Sequence, residues 1–228
     1  MGRKRKNPER EGRFGLQFLK RFEHSYCTHI NCWSCGRPLQ ARNPVFCNSC
    51  KVVQHPKNGR DYFEILNMQK IFGIDAKELQ KNFKELQKQF HPDKHARSEK
   101  MLQEISAEYS SLVNQAFKTL NSPLDRGIYL LELAGYPFTE EEIHIEQDFL
   151  MKIMEINEEL ADASDKESLL RIGDQNRRIM NGLLEEINDA FDRKDYARAR
   201  QAVGKLKFYA NVAEKVKSIE GDLGITHD

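Results

Sequence analysis

The chain is poor in the residues that punctuate β-rich folds: its 228 residues hold only 7 prolines and 13 glycines. That excludes a loop-rich all-β architecture, which needs turn residues at close intervals. Long apolar runs are missing too. Nothing approaches the roughly 18 consecutive apolar residues of a membrane helix, so no span is expected. Net charge is nearly absent, since 36 Lys+Arg against 35 Asp+Glu leave +1. That balance argues against a nucleic-acid-binding chain as a whole. Cysteine is absent from residues 51–228; all 5 lie between Cys27 and Cys50. An odd, clustered set makes a poor secreted disulfide framework and suits a metal site in a reducing compartment.

What is present is unevenly distributed. Residues 1–60 carry 13 Lys/Arg against 3 Asp/Glu, and residues 135–228 carry 13 against 21. A basic front and an acidic back suggest segments with different partners or fates. Residues 1–26 hold eight Lys/Arg, with Phe14, Phe18 and Phe22 at helical spacing. A basic, amphipathic stretch of this kind predicts a mitochondrial presequence, with a nuclear-address run (Arg3 to Lys6) or a disordered tail left open.

From Asp61 onward the pattern is helical. A short helix is expected over about 61–68. A second starts after the N-cap Asp75 and stops at Pro92, where the missing N–H and the ring break the helix. It carries Leu79, Phe83, Leu86 and Phe90 on one stripe and Lys77, Lys81, Lys84 and Lys88 on another, both spaced 4, 3, 4. A third follows Ser98 with Ile105, Tyr109, Leu112, Ala116 and Leu120 on one face. Ser122-Pro123 opens a short helix through Leu133, closed by Gly135. The remainder predicts three longer helices over about 142–163, 165–192 and 195–219. Their seams are Phe149/Ile153/Ile156/Leu160, then Leu169/Ile172/Ile179/Leu183/Ile187, then Ala199/Val203/Leu206/Ala210/Ala213. Short connections such as that around Lys194 imply antiparallel neighbours, hence a three-helix bundle.

Cys32-x2-Cys35 and Cys47-x2-Cys50 are separated by eleven residues. Two thiolate pairs on tight turns can make a tetrahedral four-sulfur site, and the spacing favours structural zinc over rubredoxin-like iron. Four thiolates leave no open position for catalysis. Cys27 is spare, and His29 and His55 are expected to be bystanders.

The turn His91-Pro92-Asp93 closes the lysine-striped helix. Taken alone it is ordinary helix-ending chemistry. A catalytic role for His91 is disfavoured, because no serine, cysteine or second histidine is placed by sequence to share the work. In context, Asp61-Tyr62-Phe63-Glu64-Ile65-Leu66, the lysine helix, the His91-Pro92-Asp93 turn and the returning helix resemble a complete J domain. Ser122 to Leu131 and Phe149-Leu150-Met151-x2-Met154-Glu155 are similar to the HscB iron–sulfur co-chaperones, and the cysteine module to their animal-type, mitochondrial members. The resemblance covers roughly residues 30–220. It implies that His91, Pro92, Asp93, Lys77, Lys81, Lys84 and Lys88 engage a DnaK-type mitochondrial chaperone and stimulate its ATPase.

On the first bundle helix, Leu150, Met151 and Met154 fall off the core seam at 100° per residue and share their side with Glu155, Glu158 and Asp162. Phe208 and Val212 fall opposite the third helix's alanine seam. Off-seam apolar residues rimmed by acids are docking candidates, and methionine adds adaptability there. The resemblance implies that Leu150, Met151, Met154, Glu155, Glu158, Asp162 and Phe208 grip an IscU-type scaffold.

The expected architecture is all-α: a basic leader (1–26), a tetracysteine zinc module (27–57), a J domain (58–134) and a three-helix bundle (135–228). The expected function is non-enzymatic delivery of the scaffold to the chaperone in the mitochondrial matrix, with cytoplasmic copies and a homodimer left open. Neither nucleic acid nor membrane is an expected partner. The alternatives are a zinc-dependent nucleic-acid adaptor using residues 1–60, which predicts salt-dependent binding, and an enzyme using His91.

Overall fold

The structure, a computed structural model, describes residues 31–39, 45–56, 61–90, 99–139, 145–163 and 165–224. Seven helices follow one another among them: α1 (Tyr62–Ile65), α2 (Ala76–Phe90), α3 (Lys100–Asn121), α4 (Pro123–Leu133), α5 (Gln147–Asp162), α6 (Lys166–Asp192) and α7 (Tyr196–Asp222). No strand forms among the described residues; the cysteine segment contributes two isolated bridges, Asn31 with Pro38 and Phe46 with Val53. The all-α expectation is borne out.

Side-chain caps set where several helices start, because the first N–H groups lack intrahelical acceptors. Asp61 accepts from the Glu64 amide at 2.9 Å, and Asp75 from the Lys77 amide at 2.7 Å. Ser122 accepts from Asp125, Asp165 from Ser168 and Asp195 from Arg198. The α6–α7 turn is tight, with Lys194 in the left-handed region at φ 57°.

Helices α2 and α3 form a hairpin. Phe83 stacks on Phe117 at 4.1 Å, and Gln87 donates to Asn114 at 2.7 Å. Helix α1 packs on α3 and reaches α4, where Tyr62 and Tyr129 stack at 4.5 Å and the Tyr62 amide donates to the Tyr129 hydroxyl. On α3 the buried apolar row is Ile105, Tyr109, Val113, Ala116 and Leu120, with Leu112 only half-buried. The expected face was rotated by one position there, because Leu112 and Val113 both satisfy helical spacing and only the packing chooses between them.

The hairpin unit and the bundle share one core, in which Phe63, Leu66 and Leu131 pack with Ile187, Val203 and Leu206. Their junction runs through α4 and α7. Gly127 lies so close to Val203 that an added Cβ would sit 2.9 Å from its Cγ2. Phe72 stacks on Phe191 at 5.7 Å, and the Arg126 guanidinium lies 5.0 Å from the Phe72 ring centroid. Burial pushes the Arg126 pKa down to about 10, leaving it charged at neutral pH, and it donates to the Leu120 carbonyl.

Helix α7 corrects the alanine-seam reading. It buries Ala199, Ala202, Val203, Gly204, Leu206, Tyr209, Val212 and Val216. Val212 therefore points into the core with Leu160, Leu169 and Ile172, not outward. The physical reason is that α7 packs on three sides, against α4, α5 and α6, so one narrow seam cannot describe it. Helix α6 places Asn176 within its apolar row; the amide donates to the Tyr209 carbonyl at 3.1 Å.

Gly127 yields a stability prediction. Gly127→Ala gains roughly 1 kcal/mol of helix propensity, which offsets much of the crowding against Val203. Gly127→Val adds two methyls to a stiff, buried neighbour and is expected to lower stability by about 1–3 kcal/mol. The urea midpoint should fall at constant m-value; equal stability of the two variants would contradict the close contact.

Candidate functional site

Three features could act on other molecules. The first is the cysteine module. Cys32 and Cys47 begin two turns of matching form: the Gly36 amide donates to the Cys32 carbonyl and the Lys51 amide to the Cys47 carbonyl, both at 2.9 Å. The residue after each second cysteine takes positive φ, 69° at Gly36 and 62° at Lys51. These turns aim all four sulfurs at one point, with every Sγ within 4.8 Å of the others.

The Cys32–Cys50 and Cys35–Cys47 sulfurs are 3.6 and 3.8 Å apart. A tetrahedron with metal–sulfur bonds of about 2.3 Å has edges of about 3.8 Å, so the donor set fits a metal ion. Burial raises the Cys32 thiol, but the Cys35 and Ser34 amides outweigh it and hold the pKa at about 6. At Cys50 the Val52 amide lowers the thiol, yet burial and the three neighbouring sulfurs push it up to about 11. Four thiols this close cannot all ionise by themselves, and a central cation favours the thiolate at each.

His55 stands aside from the sulfurs, its Nδ1 3.8 Å from Glu108. Cys27, His29 and the leader 1–26 lie outside the described residues. Trp33, the chain's single tryptophan, donates from its indole to the Val53 carbonyl at 2.7 Å, joining the two turns. For a metal-loaded protein, chelation is therefore expected to shift Trp33 emission to longer wavelength as the turns separate; unchanged emission after measured metal loss would show that they hold together without it.

The second feature is α2. Lys77, Lys81, Lys84 and Lys88 are all exposed along it, opposite the apolar residues that meet α3. His91, Pro92 and Asp93, directly after Phe90, lie outside the described residues.

The third is the α5–α7 face. Leu150, Met151 and Met154 are exposed to 39%, 47% and 62%, unusual for side chains of this size. Glu155, Glu158 and Asp162 are exposed on the same helix. Phe208 is half-buried and meets Phe149 edge-on at 5.6 Å, which places it beside this face instead of on the far side of α7. Spacing along the sequence missed the groove beside it: about 510 Å³ lined by Ile153, Asn157, Phe208 and Lys215, with Lys215 donating to Asn157 at 2.6 Å. Only the pairing of two distant helices creates it, so no local signal could have found it.

Comparison with known proteins decides the family. Residues 61–129 match the DnaJ domain, and residues 145–217 match the HSCB C-terminal oligomerisation domain. The chain is 36% identical over 189 residues to the mouse iron-sulfur cluster co-chaperone protein HscB, covering 82% of this chain and 81% of that protein.

The chain belongs to the HscB co-chaperone family.

The crystal structure of human co-chaperone protein HscB superposes with a TM-score of 0.78 at 33% identity, covering 84% of this chain and 98% of that one. HscB from Vibrio cholerae gives 0.64 at 28% identity, covering 72% and 99%. In HscB terms, the α1–α4 unit is the J domain, and α5–α7 is the C-terminal helical domain. A J-domain co-chaperone regulates a chaperone and is not itself an enzyme, which removes the His91 enzyme reading.

Proposed function

We propose that this chain binds an IscU-type iron–sulfur scaffold on the α5–α7 face and delivers it to a DnaK-type chaperone engaged by α2 and the His91-Pro92-Asp93 turn. The observation that carries the reading is the pairing of two exposed faces on one shared core: the lysine row of α2 and the Leu150/Met151/Met154 patch. Exposed lysines steer an acidic chaperone surface into register. Adaptable methionines rimmed by acids suit an apolar segment with basic flanks. Because the J domain and the bundle share a core, the scaffold is held at a fixed place relative to the chaperone. ATP hydrolysis, triggered on the chaperone, then clamps the scaffold, and cluster transfer follows.

We assign zinc to Cys32, Cys35, Cys47 and Cys50 in a structural role: the all-sulfur donor set is closed and leaves no position for substrate. Elemental analysis should find one zinc per chain. The basic leader supports action in the mitochondrial matrix.

The test is steady-state ATP hydrolysis by a DnaK-type chaperone with and without this chain and an IscU-type scaffold. The expected result is a raised rate, raised further when both are present. No increase with either would overturn the proposal, and salt-sensitive RNA binding by residues 1–60 would favour the adaptor reading.

A further inference from the structure

The metal module is packed onto one particular place. Phe46, next to the ligand Cys47, stacks on Phe90 with centroids 5.9 Å apart and rings 10° from parallel. Phe90 in turn stacks on Tyr109 at 4.7 Å. Val53, bridged to Phe46 through the backbone, is buried in the same cluster as Phe90, Ile105 and Tyr109. Phe90 ends α2, and Ile105 and Tyr109 lie in the first half of α3. Its buried residues are distinct from the core shared by the J domain and the bundle, and Leu86 packs against both. Among the described residues, the buried members of this cluster come from α2, α3 and the cysteine module, none from the bundle.

We propose that the tetracysteine module is a positioning clamp for the chaperone-contacting hairpin, with Phe46 and Val53 holding the last turn of α2 against α3. The proposal rests on the reading of α2 as the chaperone-contacting helix. The last turn of a helix frays unless its side chains are packed, and low local packing means frequent opening. Lys84 and Lys88 ride on the last two turns, so their placement follows that of Phe90. The metal ligands hold the clamp itself together: the close sulfur pairs, Cys32 with Cys50 and Cys35 with Cys47, both cross from one turn to the other. Metal loss frees the turn carrying Trp33 from the turn carrying Phe46.

The test uses the full chain bearing Phe46→Ala, with Phe46→Tyr as the conservative variant. Phe46→Ala should keep one zinc per chain and unchanged scaffold affinity by calorimetry. Amide hydrogen exchange over residues 84–90 and 99–109 should accelerate. The concentration giving half-maximal stimulation of a DnaK-type chaperone's ATPase should rise roughly three- to tenfold, the equivalent of one aromatic stacking contact, with the maximal rate retained. Phe46→Tyr should restore both readouts. Unchanged exchange and unchanged half-maximal concentration would overturn the clamp, as would equal losses of scaffold affinity and maximal rate, which mark general destabilisation. Should Phe46→Ala shed its zinc, Val53→Thr carries the same expectations from the other side of the contact. If the unaltered chain stimulates no chaperone, the function proposed above fails, and the exchange measurement alone decides the clamp.

Discussion

Replacing His91, Pro92 and Asp93 together by alanine is expected to abolish stimulation of the chaperone's ATPase and to leave the fold and scaffold binding in place. The turn follows directly on Phe90, whose ring is held between Phe46 and Tyr109. The Phe46–Phe90–Tyr109 stack that packs the end of α2 is made of residues that the three substitutions leave unchanged. The loss should thus appear in the ATPase rate and not in the urea midpoint. The lysine row gives a graded companion: reversing Lys81 and Lys84 to glutamate should weaken stimulation, and added salt should weaken it in the unaltered protein, because exposed charges steer association and are screened. A triple-alanine chain that still stimulates the chaperone would remove the central claim.

Truncating Leu150, Met151 and Phe208 to alanine should cost the scaffold complex most of its affinity. Apolar anchors at the centre of an interface are commonly worth about 1–2 kcal/mol or more each, so the triple change predicts a loss of roughly two to four orders of magnitude in Kd. Leu150 and Met151 are already exposed, and their truncation leaves little behind in the free protein. Phe208 is different: it packs edge-on against Phe149, so its removal also loosens the α5–α7 contact. Met154→Ala, at the most exposed of these positions, is the clean companion variant. Charge reversal at Glu155, Glu158 and Asp162 should slow association in a salt-dependent way, because rim charges act mainly on encounter. Calorimetry showing unchanged affinity with an intact fold would remove this face from the mechanism.

The helices themselves were legible because amphipathic spacing and capping residues are local. Asp61, Asp75, Ser122, Asp165 and Asp195 each cap the helix that follows them. The doubled Cys-x2-Cys likewise foretold the four-sulfur cluster, since each turn needs only its own few residues. Legibility failed where packing chooses between equivalent local patterns. Leu112 and Val113 both suit helical spacing, and packing in the shared core selected Val113. The alanine row of α7 looked like one seam, but a helix packed on three sides has none, so Val212 turned inward.

By itself, then, the sequence determined an all-helical chain with a lysine-bearing helix, a four-cysteine cluster whose donor set fits a metal ion and an off-seam methionine patch, all consequences of short-range spacing. Only the tertiary structure decided how these parts meet. Gly127 lets α4 approach Val203, which joins the J domain to the bundle, and Phe46 finds Phe90, which seats the cysteine module on the hairpin's free end. Both contacts link residues tens of positions apart through shape and burial, and no local spacing encodes them.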